Sequence, residues 1–247
     1  LTRHVLWRKL SVSEIEEEGS HMAAEILDDI RFEPDVALLM QELRLREGGR
    51  EAAQLERLAV EAAGLARPRA LLKVAHVDAV GEDHVIIDGV TFDSRVLKAH
   101  LGGVQQVFPH VVTCGIELHA WASSLADTVT RYWGDVICRH ALRAASRVLN
   151  QRVAELAGPD PISCISPGVF PDWPIRGQRP LFAVLGDPEK AIGVQLLKSC
   201  MMVPTKSNSG ILFAAEEEFV ICELCATDWC PGRVAAYDSG LFERKYR

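Results

Sequence analysis

Residues 166–174 (SPGVFPDWP) and 179–214 (RPLFAVLGDPEKAIGVQLLKSCMMVPTKSNSGILFA) decide the fold. Proline and glycine at Pro167-Gly168 impose a turn, and the aromatic Phe170 follows it. Asp187-Pro188-Glu189-Lys190 opens a short helix, with Pro at a position where its missing N–H costs nothing. Met201 to Ala214 reads as short strands, because an apolar run (Ile211 to Phe213) is preceded by turn-forming residues. Ser207-Asn208-Ser209-Gly210 has two readings. It is a hairpin turn beside a buried strand, or a stretch of free backbone facing a small or planar ligand. In the second reading Lys206 offers a positive charge to a phosphate or propionate-derived group.

Upstream of this stretch the periodicity changes. Asp35 to Arg46 keeps apolar residues at helical spacing between Pro34 and Gly48-Gly49, and Ala52 to Ala66 repeats the pattern before Pro68. Leu71 to Val80 reads as a strand that turns at Gly81-Glu82-Asp83 into His84 to Ile87. Ser94 is placed to cap a short helix that stops at Gly102-Gly103. Val104 to Thr113 reads as a buried strand, and a long helical stretch runs from Gly115 to about Leu156. Within it Gly134 marks a kink or a close packing contact. A further short strand is expected over Glu218 to Cys222. The fold class is α+β, with long helices packed on a twisted antiparallel sheet and a small helical and β-hairpin N-terminal region. The expected organisation is 1–22 as a leader or a tag-derived segment, 23–103 as the N-terminal region and 104–247 as the main domain. Gly19-Ser20-His21-Met22 is what a cleaved affinity tag leaves, with a natural leader as the alternative.

The 247 residues carry 27 basic and 34 acidic side chains, a net charge of −7, so no general nucleic-acid footprint exists. The most apolar stretch, Val104 to Trp121, is interrupted by Gln105, Gln106, Pro109, His110, Glu117 and His119, whereas a bilayer span needs ~20 mostly apolar residues. Seven cysteines and no secretory signal point to a reducing cytoplasm. The Rossmann glycine fingerprint, a complete P-loop, H-E-x-x-H and G-x-S-x-G are all absent.

The segment from Ser166 to Ala214 resembles the reactivation domain of cobalamin-dependent methionine synthase. The elements that carry the resemblance are Pro167-Gly168-Val169-Phe170, Asp187-Pro188-Glu189-Lys190, Leu196-Leu197-Lys198-Ser199, Met202-Val203-Pro204 and Ser209-Gly210. It implies a cofactor-facing edge made of Pro167, Gly168, Phe170, Pro204, Lys206, Ser207, Ser209 and Gly210. It also implies S-adenosylmethionine as a ligand, held in that family by an arginine shortly before the proline-glycine turn. This chain has Cys164 at that spacing, with Arg176 and Arg179 as the nearest substitutes. The Asp-x-His-x-x-Gly pattern that supplies a lower cobalt ligand in many corrinoid-binding domains is missing. A corrinoid (cobalamin) is therefore expected on a partner, either a corrinoid-binding protein or a corrinoid methyltransferase, with this chain as its accessory.

Cys222-x-x-Cys225-x4-Cys230 is the densest chemical cluster. Three thiolates at this spacing suit zinc or an iron–sulfur cluster, with Cys200 or Cys164 as a fourth ligand, while ordinary structural cysteines are the plain alternative. An iron–sulfur cluster would supply a low-potential electron to cobalt. The rival functions are a non-catalytic metal-binding interaction protein and an independent S-adenosylmethionine-binding enzyme.

Overall fold

The computed structural model describes residues 23–215, 219–227, 229, 230 and 232–247, so the leader 1–22 lies outside the described residues. The chain begins with strand β1 (Glu25–Leu27), helix α1 (Val36–Leu43) and helix α2 (Arg50–Leu65). Asp35 caps α1 through its carboxylate, which accepts from the Leu38 N–H at 3.0 Å. The expected strand from Leu71 to Val80 divides into β2 (Arg69–Leu72) and β3 (Ala75–Val80). At the break, the Lys73 N–H donates to Pro109 O, and its ammonium reaches Asp88 at 2.9 Å.

Strands β4 (His84–Ile87) and β5 (Val90–Asp93) form a hairpin about Asp88-Gly89. Both turn residues have positive φ, 46° and 76°, the geometry that an Asp-Gly pair favours in a two-residue loop. Helix α3 (Arg95–Leu101) follows, capped by Ser94, and then the central strand β6 (Gln106–Thr113).

The long helical stretch is two helices, α4 (Ile116–Ser124) and α5 (Thr128–Ala157). Asp127 divides them, because its side chain accepts from the Val129 and Thr130 N–H groups and starts a new helix. Gly134 is a packing contact. A Cβ there would come within 2.9 Å of Leu125 and 3.0 Å of Ala122, so the glycine lets α5 lie flat on α4.

The remaining elements are β7 (Ile162–Ile165), α6 (Gln178–Leu185), α7 (Pro188–Ile192), β8 (Gln195–Leu196), β9 (Met202–Val203), β10 (Ser207–Ala214) and α8 (Leu241–Tyr246). The strand expected over residues 218–222 is not formed by the described part of that segment. A 3-10 turn occupies Ile221–Leu224 instead.

Eight strands make one antiparallel sheet in the order β1-β2-β6-β3-β4-β5, with β10 beside β6 and β7 beside β10. The strands of residues 23–103 are thus hydrogen-bonded to those of the rest of the chain. One face packs on α3, α6 and the C-terminal segment through Phe92, Ile165, Trp173, Leu181 and Phe213. The other packs on α5 through Phe108, Val112, Leu149, Val153 and Leu212. A separate helical core joins α1, α2, α4 and the first half of α5 around Leu39, Leu55, Trp121 and Trp133. The chain is an α+β fold with its long helices on a curled antiparallel sheet. Among the described residues no helix is long and apolar enough to cross a membrane.

Candidate functional site

The site follows from the register of three neighbouring strands. Gly210 on β10 stands opposite His110 on β6. On its other side, a Cβ at Gly210 would meet Ile165 O at 2.7 Å, Ser166 Oγ at 2.9 Å and Cys164 Sγ at 3.3 Å. Only a glycine fits there, and its bare backbone leaves His110 on one side and Cys164 with Ser166 on the other. Strand alternation puts His110 on the face of its neighbours Phe108 and Val112, which pack toward α5.

None of these groups carries charge at neutral pH. Burial pushes the His110 imidazole down to about 4, against a small opposing effect of its contact with Phe108 O. Burial likewise pushes the Cys164 thiol up to about 11, with Ser166 Oγ 3.9 Å from its sulfur. A neutral imidazole, a protonated thiol and a hydroxyl can exchange hydrogen bonds with a polar ligand. They cannot form an ion pair with a carboxylate.

The other expected site residues divide between this row and its surroundings. Ser209 is buried, and its hydroxyl finds no hydrogen-bond partner among the described residues. Lys206, expected to offer its charge to an anion, is paired instead with Asp135 on α5 at 2.8 Å. Ser207 donates to the Thr113 hydroxyl at 2.9 Å, which also accepts from the Gly115 N–H. These contacts fasten the start of β10 to the end of β6 and to α5. Pro204 is buried behind a cis peptide bond with Val203.

Pro167 is buried too, and Gly168 turns at a φ of 86° with its N–H donated to Trp173 O at 2.7 Å. Phe170 is a core residue, 4% exposed. The turn is held from the N-terminal region. Asp172 accepts from Ser94 Oγ, the Val96 N–H and Arg95 Nε. Arg176 is exposed, and Arg179 donates to Lys198 O at 2.7 Å. A cleft of about 1070 Å³ opens at the opposite end of the sheet, between His100, Gln106, Ala157 and Phe219, and contains none of the expected residues.

Among the described residues no group of three or more His, Cys, Asp or Glu side chains is arranged to hold a metal ion. Cys222 and Cys225 are half-buried and Cys230 is exposed. Cys200 and Cys164 lie elsewhere, the one beyond the β8 strand and the other on β7. Arg233 organises this loop, donating to the carbonyls of Cys222, Ala235, Cys225 and Thr227 at 2.6–3.2 Å.

Spacing alone pointed to none of His110, Asp172 and Arg233. A histidine inside an apolar strand run and an aspartate within a Pro-rich turn are the signals available for the first two.

A search of the solved structures gives a crystal structure described as the MetH reactivation domain bound to AdoHcy. It covers 82% of this chain and 82% of that one, with a TM-score of 0.58 and 16% sequence identity. The fold is similar to that of the MetH reactivation domain. This likeness covers more than residues 104–247 alone could supply, so it reaches into the N-terminal region, where sequence motifs offered no counterpart. No protein-family model matches the chain, and no curated protein does.

The AdoHcy of the MetH structure raises the question of fit here. An adenosyl amino-acid ligand carries a carboxylate. Where the resemblance calls for an arginine, this chain presents the neutral thiol of Cys164. The row His110, Gly210, Ser166 and Cys164 does not fit that carboxylate.

Proposed function

We propose that this chain is an accessory module for a corrinoid carried by a separate methyltransferase or corrinoid protein, supporting recovery of the cofactor after oxidation. The carrying observation is the likeness to the MetH reactivation domain over about four-fifths of both chains. Supporting it, the segment that resembles that family by sequence includes β10, whose Gly210 stands between His110 of β6 and the pair Cys164 and Ser166.

In this reading the protein's part is to dock and to present an uncharged polar surface. The half-buried Cys164 thiol and Ser166 hydroxyl would meet the partner's cofactor edge without drawing in an anionic ligand, with His110 buried behind them. The test is to mix the purified chain with a corrinoid protein in its cobalt(II) state and follow the visible spectrum and co-elution. A perturbed spectrum and a shared elution peak are expected.

A second class of reading, an independent S-adenosylmethionine-binding enzyme, draws on the AdoHcy in the MetH structure. The neutral Cys164 position weighs against it.

A further inference from the structure

We propose that Cys222 and Cys225 form a thiol–disulfide exchange site, with Cys225 as the attacking thiol, Cys222 as the resolving thiol and a disulfide as substrate. The inference is independent of the corrinoid reading. It starts from the backbone. Ile221–Leu224 is a 3-10 turn, closed onto Cys225 by its N–H donating to Cys222 O at 3.2 Å. That bond makes Cys222 and Cys225 the two ends of one tight turn. The ends of a turn this tight lie within about 7 Å, the Cα separation a disulfide bridges.

The turn is prebuilt. The Arg233 guanidinium holds Cys222 O, Cys225 O and Thr227 O together, so the loop needs no metal to fix the two cysteines. The same arginine brings a positive charge to Cys225. Burial raises that thiol, but hydrogen bonds from the Thr227 side chain and backbone, with the Arg233 charge, hold it below the ordinary cysteine value. The thiolate is the nucleophile, and the Arg233 guanidinium bonded to the Cys225 carbonyl lies where it favours that form. Both cysteines are half-buried, so a small disulfide reaches them.

The exchange balances. The Cys225 thiolate attacks one sulfur of R–S–S–R, forming Cys225–S–S–R and releasing the first thiol. Cys222 then gives up its proton and attacks the Cys225 sulfur, closing the Cys222–Cys225 disulfide and releasing the second thiol. Two electrons and two protons pass from the dithiol to the substrate disulfide.

The test uses the full reduced chain in metal-free anaerobic buffer, with oxidised glutathione as the probe. Two thiols per chain should be consumed first, and peptide mapping should find Cys222 joined to Cys225. Cys222→Ser should stop at a glutathione adduct on Cys225. Thr227→Val removes a thiol-stabilising bond while leaving Arg233 and its carbonyl contacts in place. It should slow alkylation of Cys225 at neutral pH by about threefold or more, at unchanged circular dichroism. Three outcomes overturn the site. They are Cys230 reacting ahead of Cys225, adducts that accumulate without ring closure, and stoichiometric zinc retained on these two thiols by the purified chain.

Discussion

The Asp172 carboxylate and the Ser94 hydroxyl lie 2.6 Å apart, joining the proline-glycine turn to the first turn of α3. Asp172 also takes the Val96 N–H and the Arg95 guanidinium, so one carboxylate caps a helix and fixes the loop that follows β7. It is 7% exposed along its side chain. Asp172→Ala should cost about 2–3 kcal/mol, the loss expected for a buried group with charge-assisted bonds. Urea unfolding measures it, and Asp172→Asn should recover part of the loss through the Ser94 contact.

Gly210→Ala probes the row of polar groups. Its new Cβ would press on the Ile165 carbonyl at 2.7 Å, a backbone atom that cannot rotate aside. A destabilisation of about 1–3 kcal/mol is expected from overpacking. Within the folded fraction, the probe of corrinoid docking should also weaken.

Stability should fall on acidification, and His110 sets part of the slope. Its folded value, about 4, lies below the unfolded value near 6.5. The unfolded chain therefore takes up the proton first. The stabilising contribution is complete above the unfolded value and is lost as pH falls from about 6.5 through about 4, at up to ~1.4 kcal/mol per pH unit. His100, also pushed down to about 4 by burial and then by the Lys245 charge, adds a smaller share because it is partly open to solvent. Urea unfolding at pH 7.5 and 4.5 should show the loss, and His110→Gln should flatten it.

S-adenosylmethionine should bind weakly. Without a cation at the Cys164 position, the ligand carboxylate forgoes a charge-assisted bond worth ~1.5–3 kcal/mol, a roughly ten- to hundredfold loss of affinity. Calorimetric titration giving low-micromolar binding would contradict this and turn attention to Arg176 and Arg179.

Local signals made much of the architecture legible. Ser94 caps its helix as the sequence implies, and Gly81-Glu82-Asp83 joins two strands. The failures share a cause, which is that a local change in backbone hydrogen bonding leaves the hydrophobic period intact. Asp127 splits a helical stretch whose apolar spacing continues across it. Lys73 ends a strand at the point where Pro109 on the neighbouring strand lacks an N–H.

The site was less legible than the fold. Lys206 has the composition of an anion ligand, but only the fold brings Asp135 to within 2.8 Å of it. Cys222, Cys225 and Cys230 stand out by spacing, whereas Arg233, which donates to the carbonyls that shape their loop, carries no such signal. The nearness of His110 to Gly210 exists only in the sheet register, across about a hundred residues of chain.

Service to a corrinoid held by another chain is the central claim, and one titration addresses it most directly. The purified protein is added stepwise, under anaerobic conditions, to corrinoid proteins encoded near its gene and loaded with cobalt(II) corrinoid. The account predicts a saturable change in the corrinoid absorption spectrum with at least one of them, and co-elution at the same stoichiometry. Free cobalamin should give no such change at equal concentration. Unchanged spectra and separate elution with every one of them, or tight binding of free cobalamin alone, would contradict it.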